Sequence, residues 1–491
     1  MLRSPGWPLA FVVALTWAVV PLLPALLARA IPGQPYTDLY PSIWGLDVFC
    51  ASLPAIVTHT ARMGAPEGIG FYYSSPLHGL AGWPVWATFG PVAAYVATLI
   101  AARAATVLCA FGFLRALNHA PLAALGGALL YGASPFFHGY AVEGIVEGTD
   151  GWALALWAWM VVRNRPVAAI SAFALTILSS WYLGMVACLL AVVLGARYRT
   201  AWISILGLLL ATPALWAFTH AFGGNTPLDP VVRVAMGAPL WFPVPGLTPG
   251  LNPFALTTYV GFAAVALAFP SARRRPLWAL GAVACAILST GRGPWWDLPV
   301  LEMVRFPYRW HAGTLLCLAP LVAETAARRK RPLLAALPFL EGLLLSPIEP
   351  VVPSAPADLP AIYATVAADT LLEIPGPVAM TPGKPNASRP RARWFLYAQL
   401  SHHASSPWTL DFNGIAGGRN APWLAAFASW DPLLHAPNQP LDLDAARTAG
   451  VDEVLVHRDL LERDADAFEA ALVAAGATLI AREGDLALYR L

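Results

Sequence analysis

Up to about residue 347 the chain alternates long apolar runs with short segments rich in polar residues, Pro and Gly. The runs fall at about 7–30, 88–114, 120–137, 151–163, 166–179, 181–196, 200–220, 257–271, 276–290, 310–326 and 332–347. A straight membrane-crossing helix prefers roughly 20 apolar residues, so several runs must extend into their flanking turns, and about eleven transmembrane helices are predicted. Between the first two lies a loop, residues 31–78, with Ile43, Leu46, Phe49 and Cys50 at helical spacing. That spacing predicts an amphipathic helix lying on the membrane surface. A second long loop, 221–256, is rich in Pro and Gly and lacks a strong period.

Beyond residue 348 the pattern changes. Pro350, Pro353, Pro356 and Pro360 mark a linker, after which Arg, His and acids become frequent. Residues 442–449 read as a helix ended by Gly450, EVLVH (453–457) as a strand, and 459–475 as a helix ended by Gly476. ATLIAR and LALYRL read as two strands joined at Glu483, Gly484 and Asp485. The predicted fold class is therefore a polytopic α-helical membrane protein, residues 1–347, followed by a linker and a small C-terminal α/β domain, residues 348–491.

Composition agrees. Of the 491 residues, 58% are hydrophobic and only 12% charged, against about a quarter charged in a soluble domain. The net charge of +2 excludes a strongly basic nucleic-acid binder. Lys330 and Lys384 are the two lysines among 30 basic residues, a usage that points to a GC-rich, bacterial source. The five cysteines are scattered singly, without metal-ligand spacing.

Charge sets the expected orientation. With the N-terminus cytoplasmic, Arg3, Arg115, Arg163, Arg165, Arg197, Arg199, Arg273–Arg275 and 328–331 all fall on the inner side, as the positive-inside rule requires. The C-terminal domain is then extracytoplasmic, in a chain expected in the bacterial inner membrane. The outer segments hold Asp38, Asp47, Glu67, Glu143, Glu147, Asp150, Asp229, Asp297 and Glu302.

Three outer clusters could carry chemistry. Asp38 could act as a general base toward an acceptor hydroxyl or help to hold a divalent metal ion. SPFFHGYAVEGIVEGTD carries His138, Glu143, Glu147 and Asp150. Glu143 and Glu147 are four apart, so on a helix both carboxylates share one face and need a cation, a metal or water. VRFPYRWHAG carries Arg305, Arg309 and His311. Outer-side arginines run against the orientation rule, and either a lipid phosphate or the outer acids would account for them. No GxxxxGK[ST] phosphate loop is present.

With TDLYPSIWGLDVF after the first span, SPFFHGYAVEG, SSWYLG, RFPYR, LYAQLSHH, DFNG and AGVDEVLVH, the chain resembles the C-type (GT-C) integral-membrane glycosyltransferases, in a bacterial branch with a C-terminal soluble domain. That resemblance implies transfer of a sugar from a polyprenyl-phosphate donor to a glycan, lipid or protein acceptor of the envelope. It places the catalytic acid or base at Asp38. Many members carry a pair of acids there; here Thr37 and Leu39 flank a single Asp. Glu143, Glu147, His138, Arg305 and Arg309 are the expected substrate-binding residues. Two other classes stand beside it: a transporter or flippase for a lipid-linked sugar, and a non-catalytic glycan-binding envelope protein.

Overall fold

The computed structural model describes residues 6–35, 38–221, 233–234, 237, 258–298, 301, 304, 306–346, 348–376, 389–409, 420–432 and 436–491. Most of the 221–256 loop, Thr37, Arg305, Glu302 and the DFNG stretch lie outside them.

In chain order the main helices are α1 (Trp7–Val19), α2 (Leu39–Ser52), α3 (Pro76–Ala116), α4 (Pro121–Gly132), α5 (Pro135–Val142), α6 (Gly151–Val162), α7 (Pro166–Ser179) and α8 (Trp181–Gly195). They continue as α9 (Arg199–Ser204), α10 (Gly207–Ala221), α11 (Phe262–Ala272), α12 (Pro276–Ser289), α13 (His311–Arg328), α14 (Leu337–Leu345), α15 (Arg389–His402), α16 (Leu443–Thr448) and α17 (Ala465–Ala474). Proline at the first position starts α3, α4, α5, α7 and α12, where its fixed φ suits the helix and its missing N–H leaves no bond unmade. Every apolar run carries helix. Among the described residues, Trp7–Leu27, Pro76–Ala116 and Arg199–Ala221 are long and apolar enough to cross a membrane, and six further apolar helices are shorter. Helix α3 is broken in the middle: Gly90 has φ +84° between Pro84 and Pro91, residues that bend a helix by removing a donor and crowding the preceding turn.

The chain divides into two compact units. The first comprises Met1–Gly33, Ser74–Ala214 and Pro227–Ser354; the second comprises Gln34–Tyr73, Leu215–Thr226 and Ala355–Leu491.

In the first unit α3 packs on α1, α4 and α6, and α13 packs on α4, α11 and α12. Small residues permit the close approaches: a Cβ on Gly313 would lie 2.5 Å from Cys285 Sγ, and one on Gly281 2.9 Å from Cys317 Sγ. Small residues at helix interfaces are how spans associate where lipid supplies no hydrophobic drive. Arg103 is buried in the middle of α3, donating to the Trp17 carbonyl at 3.1 Å and meeting His138 Nδ1 at 3.3 Å, with its guanidinium 4.9 Å from the Trp17 ring.

In the second unit, four strands form a mixed sheet in the order β1 (Leu371–Ile374), β2 (Glu453–His457), β4 (Leu486–Arg490), β3 (Thr478–Glu483). Strands β1 and β2 are parallel; β2–β4 and β4–β3 are antiparallel. Alternation sends Leu372, Ile374, Val454 and Val456 into one core with Phe468 and Leu472, and Leu371 and Leu455 into another with Ile362 and Tyr363. A sheet covered on both faces explains why EVLVH is buried throughout. The helix expected over 459–475 is divided at Glu462, which has φ +52°, whereas Gly476 and Gly484 sit at the predicted stops with φ +95° and +57°.

Helix α2 also belongs to this second unit. Nine of its 14 residues are buried. Trp44 Nε1 donates to Gln399 Oε1 at 2.7 Å, and Tyr40 lies against Trp394 and Tyr397 of α15 with centroids 5.1 and 4.8 Å away. The sequence reading laid this helix on the lipid surface. Its rings instead meet protein, because Tyr and Trp carry polar tips that α15 and its neighbours satisfy: Gln399 takes the Trp44 N–H, and the Pro356 carbonyl takes the Tyr40 hydroxyl.

Candidate functional site

The segment from 134 to 150 is built to hold polar groups inside the first unit. Ser134 caps α5, accepting from Phe137 N. The helix ends at Val142, and Gly144 turns the chain with φ +69° before a 3₁₀ turn, Val146–Gly148. This breaks the helical register assumed for Glu143 and Glu147, which stand on opposite sides of a turn. Rings close over the backbone: a Cβ on Gly148 would lie 1.9 Å from Tyr140, and one on Gly151 2.4 Å from Phe137. Glu143, Glu147 and Asp150 are all buried, so none of the three is the solvated acid an ordinary loop end would carry.

Glu147 forms an ion pair with Arg309. Arg309 sits on the 3₁₀ turn Pro307–Trp310 that leads into α13, where Pro307 delays the α-helix. Its guanidinium carbon lies 4.1 Å from the Tyr182 ring, 4.8 Å from Phe306 and 5.8 Å from Tyr140. Tyr140 in turn stacks on Tyr308 at 6.3 Å. A cation walled by electron-rich faces is held in place without being fully neutralised, and Arg309 Nε is buried with no hydrogen-bond partner among the described residues. The arrangement suits a planar, forked anion receptor.

Two further clusters flank it. His138 bridges Arg103 and the Glu349 carbonyl, the latter at 2.8 Å from Nε2. Asp150 accepts from Ser75 Oγ at 2.9 Å and Trp152 Nε1 at 3.3 Å, and its Oδ2 lies 3.5 Å from His78 Nδ1. The structure thus brings Glu147 and Arg309 together, joins His138 to Arg103, and leaves Glu143 buried in the same segment. Asp38 lies in the second unit, half-buried at the N-cap of α2. Arg305 is outside the described residues.

The aromatic walls from Tyr140 and Tyr182, and the Ser75 and His78 partners of Asp150, were not read as site residues from the sequence. The available signal was an apolar segment that keeps Tyr and His at the turns between runs.

The second unit has polar clusters of its own. Asp47 pairs with Arg62 at 2.7 Å, and Gln399 Nε2 donates to the Arg62 carbonyl at 2.8 Å. Burial, reinforced by Asp47, pushes the Cys50 thiol up to about 12. On the sheet, Glu373 accepts from Tyr363 at 3.2 Å and meets His457 Nε2 at 2.8 Å. His402 stacks on Tyr363, and burial holds its imidazole below the usual value against the opposing pull of Glu373. Among the described residues no three His, Cys, Asp or Glu side chains gather as metal ligands. Asp47 and Asp150 are already engaged by Arg62, Ser75 and Trp152.

The arrangement of helices is similar to that of solved C-type (GT-C) membrane glycosyltransferases. Among solved structures it matches a mutant of the arabinofuranosyltransferase AftD from Mycobacteria with a TM-score of 0.56 and 14% identity, over 98% of this chain and 41% of that one. This chain therefore spans about two-fifths of AftD. It also aligns with ArnT from Cupriavidus metallidurans bound to undecaprenyl phosphate (TM-score 0.48, 12% identity, 99% and 98% covered). A third alignment is with the Archaeoglobus fulgidus oligosaccharyltransferase complex with Zn and sulfate (0.47, 10%, 95% and 69%). No protein-family model and no curated protein sequence matches the chain.

Proposed function

We propose that this protein is an inner-membrane glycosyltransferase that moves a sugar from a polyprenyl-phosphate donor to an envelope acceptor on the outer face. The observation that carries the reading is the buried Arg309–Glu147 pair inside walls of Tyr140, Tyr182 and Phe306, on a GT-C fold. In this reading the donor phosphate takes the guanidinium fork from Glu147, while the aromatic faces keep Arg309 in place. Asp38 accepts the proton of the acceptor hydroxyl, whose oxygen attacks the anomeric carbon. The bond from that carbon to the phosphate oxygen breaks, and polyprenyl phosphate leaves carrying the electron pair. His138, Glu143 and Arg305 complete the proposed substrate contacts. The N-terminus is cytoplasmic and the C-terminal unit extracytoplasmic.

Transfer is measured with membranes containing the full chain and a polyprenyl-phosphate sugar. Asp38→Asn is expected to reduce turnover by about 10²–10⁴-fold with insertion intact, the contribution of one positioned base. Asp47→Asn, whose carboxylate serves Arg62, is expected to do far less. Arg309→Lys keeps the charge and loses the fork, so it is expected to raise the donor concentration needed for half-maximal rate. An unchanged donor dependence in Arg309→Lys, or equal small losses from both aspartate variants, would overturn the reading.

A further inference from the structure

We propose that a groove between α11, α12 and α13 binds the acyl chain of an ester-linked phospholipid, with His311 and Thr314 hydrogen-bonded to its ester carbonyl. The inference does not depend on the transferase reading. Helices α11 and α12 each pack extensively on α13 and hardly on one another, which leaves a cavity of about 410 Å³. Val265 and Phe269 of α11, Val283 and Ile287 of α12, and Leu318 and Leu321 of α13 line it. Phe269 is 81% exposed and Val283 55%, so the groove opens outward, and around an apolar helix bundle the surrounding medium is lipid.

Its frame is fixed from both ends of α11. Glu341 accepts from Phe262 N and Ala263 N, each at 2.7 Å, and from the Tyr259 hydroxyl at 2.9 Å. At the other end Ser271 Oγ meets Thr325 Oγ1 at 2.6 Å. The volume falls within the roughly 300–1,000 Å³ of small-molecule sites.

The polar inventory selects the occupant. His311 and Thr314 are three apart on α13, so they share a face, and both line the cavity while nearly fully buried, 2% and 5% exposed. Among the described residues His311 Nε2 and Thr314 Oγ1 have no hydrogen-bond partner. A threonine in a helix ordinarily turns its hydroxyl back to a carbonyl of the preceding turn; here it does not. Two buried polar atoms without partners in an apolar wall are costly, and a rotation that turns each side chain toward an acceptor in the groove relieves both, His311 donating from the tautomer protonated at Nε2.

That acceptor must be neutral. The described lining contains no Lys or Arg, and the carboxylate that abuts Gly261 at the mouth is Glu341, which repels a phosphate. An isoprenoid phosphate has no acceptor other than its phosphate. A glycerolipid ester carbonyl is neutral and stands where headgroup meets hydrocarbon, the depth at which α13 begins beside Tyr308 and Trp310.

The test is native mass spectrometry of the full chain, titrated separately with a diester phosphatidylglycerol, its diether analogue with the same chains, and undecaprenyl phosphate. The wild type is expected to retain the diester about two- to tenfold better than the diether, the worth of one or two hydrogen bonds. His311→Phe and Thr314→Val are expected to erase that preference, whereas Thr314→Ser keeps it. Ala286→Phe, which fills the groove, is expected to expel the lipid. Equal retention of diester and diether overturns the proposal. So does displacement of phosphatidylglycerol by undecaprenyl phosphate that depends on His311, which would make the groove an isoprenoid site.

Discussion

Single residues carried the functional reading unevenly. Asp47, one of the outer acids, pairs with Arg62. Arg309 was legible as an oddity, a cation on the side the orientation rule disfavours, with phosphate or acids as its two explanations; the structure puts Glu147 against it. What the sequence could not supply was the Tyr182 ring against that pair, because Tyr182 lies more than a hundred residues from Arg309 and no period links them. Arg103 shows the same limit. A charge in a span is usually functional or paired, and here its bonds go to Trp17, His138 and the Trp17 ring, all fixed protein groups. A charge held this way does not favour a transport pathway. Arg103→Met, which keeps the length, is expected to destabilise the protein by about 1–3 kcal/mol through the partners left unmatched, read as a lower thermal midpoint in detergent. His402 sets a pH dependence in the second unit. Burial lowers its folded-state pKa from the ordinary value of about 6.5. The folded state thus resists protonation that the unfolded chain accepts. The associated stability is present above about pH 6.5 and is lost as pH falls below it. Melting curves between pH 7.5 and 5 should show the second unit weakening in the wild type, and less so in His402→Gln.

At the scale of elements, boundaries were most legible where chemistry punctuates them. Pro166 and Pro276 start helices at the residues where the apolar runs begin, and Gly476 and Gly484 end elements where positive φ is required. The strand LLEI at β1 escaped notice because it is four residues long and follows irregular chain. Its identity as a strand comes from pairing in parallel with β2, some eighty residues away, and its isolated sequence carries no alternation. Helix α15 was missed for a related reason: it is helical in a polar context, and what it covers is α2. The α2–α15 contact is testable. Trp44→Phe preserves the ring packing against Phe71 but removes the bond to Gln399. It is expected to cost about 1–3 kcal/mol for the buried acceptor left behind. Faster amide hydrogen exchange across 39–52, with insertion into the membrane unchanged, is the signature; unchanged exchange would mean that the bond contributes nothing.

For the whole molecule, the apolar runs disclosed a bundle of helices, while the grouping of distant segments stayed hidden. Residues 34–73 interrupt the first unit in sequence and join the second in space, because Tyr40, Trp44 and Asp47 find their partners in Tyr397, Gln399 and Arg62. Sequence order alone would keep this loop with the spans on either side of it. The grouping makes the orientation of the two terminal regions a joint question. If 34–73 and 355–491 form one body, both must lie on the same side of the membrane. In the proposed orientation, with the arginine-rich side cytoplasmic, that side is the outer one. Fusing a reporter that is active only in the cytoplasm after Leu491 is expected to give no signal, and a cysteine introduced at exposed Glu67 is expected to react with a membrane-impermeant thiol reagent added from outside. Signal from the fusion would put the C-terminal unit in the cytoplasm and end the outer-face reading. A silent fusion with an unreactive Glu67→Cys would separate the loop from the C-terminal unit and count against the single body that the α2–α15 contacts imply.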